Sequence, residues 1–139
     1  MRVAIFGNKT STEELIVYLA EKNMPLKALI TFKVKKSEEK AISGYSSRLH
    51  NIAKEKGLEL IEVDDYSLKP EELQKKIIDQ NFDLGIVTGW QRLIPLNVLK
   101  SFSLGVFGWH GSFLQFPNGR GRSPLNWSVR LGAKEIYHN

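Results

Sequence analysis

A chain of 139 residues, 42% hydrophobic and 25% charged, is long and apolar enough for one domain with its own core and too balanced in composition to be disordered. Zero cysteines exclude disulfides, thiolate nucleophiles and sulfur-ligated metal, and no apolar run approaches the roughly 20 residues that span a bilayer. Twenty Lys and Arg against 15 Asp and Glu leave a net charge of +5, which favours anionic partners such as phosphorylated metabolites or nucleotides. The charge is spread along the chain with one cluster, Lys33, Lys35 and Lys36, so it reads as a solvated surface in preference to a nucleic-acid patch. The N-terminus lacks the regions of a secretory signal, and residence in the cytoplasm is expected.

In chain order, Arg2 to Phe6 is an apolar run ending at Gly7, which predicts a buried strand entering a turn. Ser11 and Glu14 have capping-box spacing ahead of Leu15, Ile16, Leu19 and Ala20, so a helix is expected to about Asn23. Leu26 to Phe32 is a second strand, and Lys33 to Gly44 a long polar loop. A helix from about Ser46 to Lys56 places Leu49, Ile52 and Ala53 on one face and stops at Gly57. Leu58 to Val63 is a third strand. Pro70 with Glu71 and Glu72 opens a helix through Leu73, Ile77 and Ile78. Asp83 to Thr88 is a fourth strand, Pro95 to Lys100 a short helix, and Leu104 to Trp109 a fifth strand. Ser123 as N-cap, Pro124 at the first position and Gly132 after Leu131 punctuate a last helix.

Strict alternation with short connections predicts an α/β fold, Rossmann-like and doubly wound, with a mainly parallel sheet covered by helices on both faces. Residues 1–139 form one such domain in this reading. Lys134 to His138 resembles the opening of a sixth strand with nothing after it, so the domain is expected to be incomplete at its C-terminal end.

Chemistry concentrates at Gly108-Trp109-His110-Gly111-Ser112-Phe113-Leu114, between the fifth strand and the loop Pro117-Asn118-Gly119-Arg120-Gly121-Arg122-Ser123-Pro124. A histidine delivered from a strand end into a Gly- and Arg-rich loop can exchange protons with a bound ligand near neutral pH. Arg120 and Arg122 flank Gly121 before a helix, where guanidinium groups and backbone amides can converge on an anion; the alternative is a solvated loop. Ser112 can bond substrate or cap its own turn. Gly7-Asn8-Lys9-Thr10-Ser11 has one glycine where the dinucleotide fingerprint has three, which speaks against NAD and makes Asn8 a candidate at a substrate phosphate. His50 and His138 are expected at the surface, Trp90 in packing, and no histidine pairing suggests a metal.

The His110, Ser112 and Leu114 run, with Arg120, Gly121 and Pro124 beyond it, resembles the strand end and loop of the 10-formyltetrahydrofolate-dependent formyltransferases. Asp83 to Pro95 is similar to the strand and folate-lining turn that precede them in that family. The likeness is strong over roughly Asp83 to Gly132, and the Gly-Arg-Gly-Arg-Ser-Pro stretch looks more like the sugar-type or uncharacterised branches. It implies 10-formyltetrahydrofolate as formyl donor, a small anionic amine as acceptor, His110 as the catalytic histidine, and Gln91, Arg92, Leu93 and Ile94 as folate contacts. It also places Gly108 where the family has a catalytic Asn, and the family's catalytic Asp downstream of this chain. Losing one oxyanion donor costs about 10²–10³ in rate, so either another group, such as Asn118, Asn126 or a lodged water, substitutes or the activity is low or changed. Two alternatives stay open: a folate- or nucleotide-binding module without turnover, and a hydrolase of formyltetrahydrofolate. A tRNA substrate is less expected, since such enzymes carry a further domain.

Overall fold

The computed structural model describes residues 1–34, 44–64, 66–115, 117–121 and 123–138. They divide into two compact units, Met1–Phe107 and Gly108–Asn139, each treated separately below. The expected Lys33 to Gly44 loop, with Lys35 and Lys36, lies largely outside the described residues.

The first unit alternates strand and helix: β1 (Val3–Phe6), α1 (Thr10–Glu21), β2 (Leu26–Phe32), α2 (Leu49–Glu55), β3 (Glu59–Val63), α3 (Glu71–Ile78), β4 (Leu84–Val87), α4 (Leu96–Lys100) and β5 (Gly105–Gly108), whose last residue opens the second unit. The sheet order is β3-β2-β1-β4-β5, and β1 pairs in parallel with both β2 and β4, as β2 does with β3. This is the Rossmann-like α/β fold the alternation predicts.

Why helices cover both faces follows from the strands' period of two. Ala4 and Phe6 of β1 and Ala28, Ile30 and Phe32 of β2 join Ile77 of α3, Val98 of α4 and Phe102 in one core. Their alternates, Ile5 and Leu29, join Ile16 of α1 with Leu49, Ile52 and Ala53 of α2 in the other. Strands that place apolar side chains on both faces thus feed two cores at once.

The strand starts are tied together by Asp83, whose carboxylate accepts the Arg2 backbone N–H at 2.6 Å and the Ser103 hydroxyl at 2.8 Å. Gly85 lets β5 approach β4, because a Cβ there would lie 2.9 Å from Val106 Cγ2 and 3.2 Å from Phe102 Cε1.

Three local details differ from the sequence expectation. The N-cap of α1 is Lys9, with Thr12 Oγ1 accepting its backbone N–H at 3.2 Å, while Ser11 lies inside the helix. Ser46 precedes α2 instead of starting it, because its hydroxyl donates to Glu13 at 2.6 Å and accepts the Arg48 N–H. His50, expected at the surface, is only 13% exposed and its Nε2 lies 3.0 Å from Glu62.

The second unit contains β6 (Gly111–Ser112), α5 (Pro124–Arg130) and β7 (Tyr137–His138). Instead of opening a sixth strand of the parallel sheet, β7 pairs antiparallel with β6, Gly111 opposite His138 and Ser112 opposite Tyr137. Ser123 precedes α5 at φ 52° with no side-chain cap bond. Among the described residues of this unit the buried side chains are Ser112 and Ser128, and no apolar one is buried. The chain's apolar cores therefore lie in the first unit.

Candidate active site

In the second unit the loop before α5 folds back on the histidine run. His110 is half-buried, and its Nε2 lies 3.0 Å from the carbonyl oxygen of Gly119. A carbonyl oxygen only accepts, so a hydrogen bond at this contact is one that Nε2 donates. His110 makes no other hydrogen bond among the described residues.

Gly119 is suited to this place for two reasons. Its φ of +72° is left-handed, where a side chain is strained. A Cβ would also collide with Ser112 Oγ and lie 2.8 Å from Ser112 Cβ. Ser112 is fully buried, and its Oγ accepts the Leu114 N–H at 3.0 Å. The Ser112 hydroxyl caps its own turn and packs toward Gly119. His110, Ser112 and Gly119 are thus brought together, and Gly119 is the member that motif reading misses. The Asn118-Gly119 pair, a left-handed turn signature, was its signal.

The same loop borders a cleft of about 380 Å³ lined by Phe113, Gly119, Arg120, Gly121, Trp127 and Leu131 among others. Arg120 is exposed at this cleft, while Arg122 lies outside the described residues. Asn118 and Asn126 are exposed, and their side chains form no hydrogen bond among the described residues. Gly108 is exposed at the end of β5.

In the first unit, Gln91, Arg92 and Leu93 are exposed, Leu93 at 93%, while Ile94 packs against the core. None of the four forms a hydrogen bond among the described residues, so their backbone donors and acceptors are available beside an apolar side chain. That combination suits a flat heterocycle with a polar edge. The turn rests on an aromatic cluster: Trp90 donates its indole N–H to the Tyr66 carbonyl at 3.0 Å and meets the rings of Phe6, Phe32 and Tyr66. Trp90 is a packing residue.

Asn8 is not where a phosphate contact would be. It is fully buried, and its amide donates to the Tyr66 hydroxyl at 3.0 Å. The rest of that turn is committed too. The Gly7 N–H donates to Ile30, the Thr10 N–H to Gly44, and the Thr12 hydroxyl to the Thr88 carbonyl at 3.2 Å. A Cβ on Gly7 would collide with Thr12 Oγ1 and the Thr88 oxygen, so the glycine serves close packing and not an open anion cradle.

Comparison with known proteins agrees with the resemblance of the His110 run. The family model described as formyl transferase matches residues 1–136. A methionyl-tRNA formyltransferase from Caldanaerobacter subterraneus subsp. tengcongensis is 24% identical over 135 residues, covering 97% of this chain and 42% of that protein. One from Buchnera aphidicola subsp. Schizaphis graminum is 37% identical over 68 residues, 49% of this chain and 21% of the relative. The chain thus spans less than half the length of these curated relatives. Among solved structures, phosphoribosylglycinamide formyltransferase from Bacillus halodurans superposes with a TM-score of 0.69 at 19% identity, covering 96% of this chain and 67% of that one. Glycinamide ribonucleotide transformylase 1 from Geobacillus kaustophilus gives 0.70 at 16% identity, covering 99% and 71%. These structures share the fold.

Proposed function

Since the chain belongs to the formyl transferase family, we propose that it is the folate-binding and proton-handling part of an enzyme that formylates an amine of a small anionic substrate. The observation that carries this reading is His110, held by the Gly119 carbonyl at 3.0 Å in a half-exposed position just after β5. When bound, 10-formyltetrahydrofolate supplies a formyl carbon open to attack by an amine, so a proton must pass from that amine to the departing folate nitrogen. His110 accepts the proton and returns it. Gln91, Arg92, Leu93 and Ile94 hold the folate through free backbone groups and the Leu93 side chain. Arg120 favours an anionic acceptor; Arg122 is assigned the same role from sequence alone.

The named relatives act on methionyl-tRNA or are glycinamide ribonucleotide enzymes. The dispersed positive charge supports a small molecule over a nucleic acid for this chain. A place in one-carbon metabolism in the cytoplasm follows from the same reading.

One observation favours a second reading, a folate-binding module without turnover: glycine, which offers no side-chain donor, stands at position 108. The test is calorimetry with a stable 10-formyltetrahydrofolate analogue, followed by assay of formyl loss with and without amines. Binding and amine-dependent loss are expected. Binding with no loss supports the second reading, loss without amine a hydrolase, and no binding refutes all three.

A further inference from the structure

The structure leaves the two nitrogens of His110 in different situations, one bonded to a carbonyl and one free of protein partners among the described residues. We infer that the Gly119 carbonyl is a positioning group that fixes His110 as the Nε2–H tautomer, so that Nδ1 is the nitrogen that gains and loses the proton. The assignment deepens the formyl-transfer reading and rests on it for its catalytic meaning, though not for its geometry.

The argument is one of donor inventory. A neutral imidazole has one N–H and one lone pair, and a carbonyl oxygen can bond only the former. The Nδ1–H tautomer would point a lone pair at the Gly119 oxygen, so the 3.0 Å contact selects Nε2–H. Protonation then adds a hydrogen at Nδ1 and leaves the Nε2–H···O bond in place, so the ring need not turn over between its two proton states. Turning would break the one hydrogen bond that orients it among the described residues.

What holds the carbonyl is a size exclusion. Gly119 sits against the Ser112 side chain with no room for a Cβ, and Ser112 is itself fixed by the Leu114 N–H. Side-chain volume at 119 therefore sets the position of the acceptor, and through it the tautomer at 110. The coupling runs through a main-chain atom, which sequence motifs do not reveal.

The test is NMR of the imidazole nitrogens in the full chain without any ligand, with His110 assigned from the signals lost in His110→Gln. In the neutral ring, His110 is expected to show a pyrrole-like Nε2 and a pyridine-like Nδ1. Gly119→Ala should raise the Nδ1–H fraction to a readily detected level and lower kcat on the order of 10²-fold through misplacement. Ser112→Gly combined with Gly119→Ala removes the closest colliding group, leaving Leu114 Cβ and the left-handed backbone at 119, and should restore the wild-type nitrogen pattern in part. A pyridine-like Nε2 in the unaltered protein overturns the inference, and so does a Gly119→Ala spectrum unchanged from it. Because the nitrogen signals need no folate and no turnover, failure of the tautomer assignment is distinguishable from failure of the formyl-transfer reading.

Discussion

The Asn8 side chain is fully buried, and both its amide atoms face one phenol, Tyr66, at 3.0 and 3.3 Å. Removing either partner strands the other in the core, which costs about 1–3 kcal/mol. Asn8→Ala and Tyr66→Phe are each expected to destabilise by that order in urea unfolding, and the double variant by less than their sum. Burial raises the Tyr66 phenol above its usual 10.0, and the Asn8 bond partly opposes the shift. A raised phenol means that folding stability is intact below pH 10 and falls as the pH rises beyond it, because the unfolded chain loses its proton first. Tyrosinate absorbance should therefore show Tyr66 titrating later than exposed tyrosines, and later still in Asn8→Ala. At the other centre, His110→Ala is expected to cut turnover by about 10²–10⁴ while leaving folate affinity within a few-fold. An active His110→Ala enzyme, or one that loses folate as well, contradicts the role assigned.

At the scale of elements, Asp83 acts as a clamp at the strand starts. The Ser103 hydroxyl and then the Arg2 backbone N–H hold its carboxyl below the usual 3.8. The clamp's contribution is complete above that value and disappears as the pH falls through the depressed one, since the unfolded chain binds the proton first. Acid unfolding of Asp83→Asn should lack this component. Between β4 and β5 the constraint is steric. Gly85→Ala puts a Cβ 2.9 Å from Val106 and is expected to cost about 1–3 kcal/mol by thermal unfolding, with partial rescue by Val106→Ala.

The strands and most helices were readable because two periods, two in strands and 3.6 in helices, are written directly in residues such as Ile5 against Ala4 and Phe6. What escaped depends on contacts distant in sequence. Asn8 resembles a turn residue until Tyr66 is placed against it, and Lys134 to His138 reads as the opening of a sixth strand until β6 supplies Tyr137 and His138 with an antiparallel partner. The His110 run stands out in the sequence because its pattern is carried by side-chain types. Gly119 does not, because its contribution is a carbonyl that every residue has.

Across the whole molecule, burial is uneven. Apolar residues 0–8% exposed run from Val3 to Phe102, whereas the second unit leaves Trp109, Trp127, Val129 and Leu131 open among its described residues. Local stability follows buried apolar contact, so amide exchange is expected to be slowest in β1 and β2 and fastest in β6, β7 and α5. Equal protection in the two units would contradict this ordering. The 42% apolar content builds cores, and among the described residues these lie on one side of Phe107.

The tryptophans follow the same division, which equips the protein with its own optical labels. Trp90 lies in the aromatic cluster of the first unit, its ring 5.1 Å from that of Tyr66, whereas Trp109 and Trp127 are 69% and 49% exposed in the second. Emission from the sheltered indole should be blue-shifted and sensitised by its tyrosine neighbour, and emission from the exposed pair red-shifted and open to quenching by iodide. A chain keeping only Trp90 would then follow melting of the sheet by colour alone, while its complement, with Trp90→Phe, would follow the His110 loop in the same cuvette.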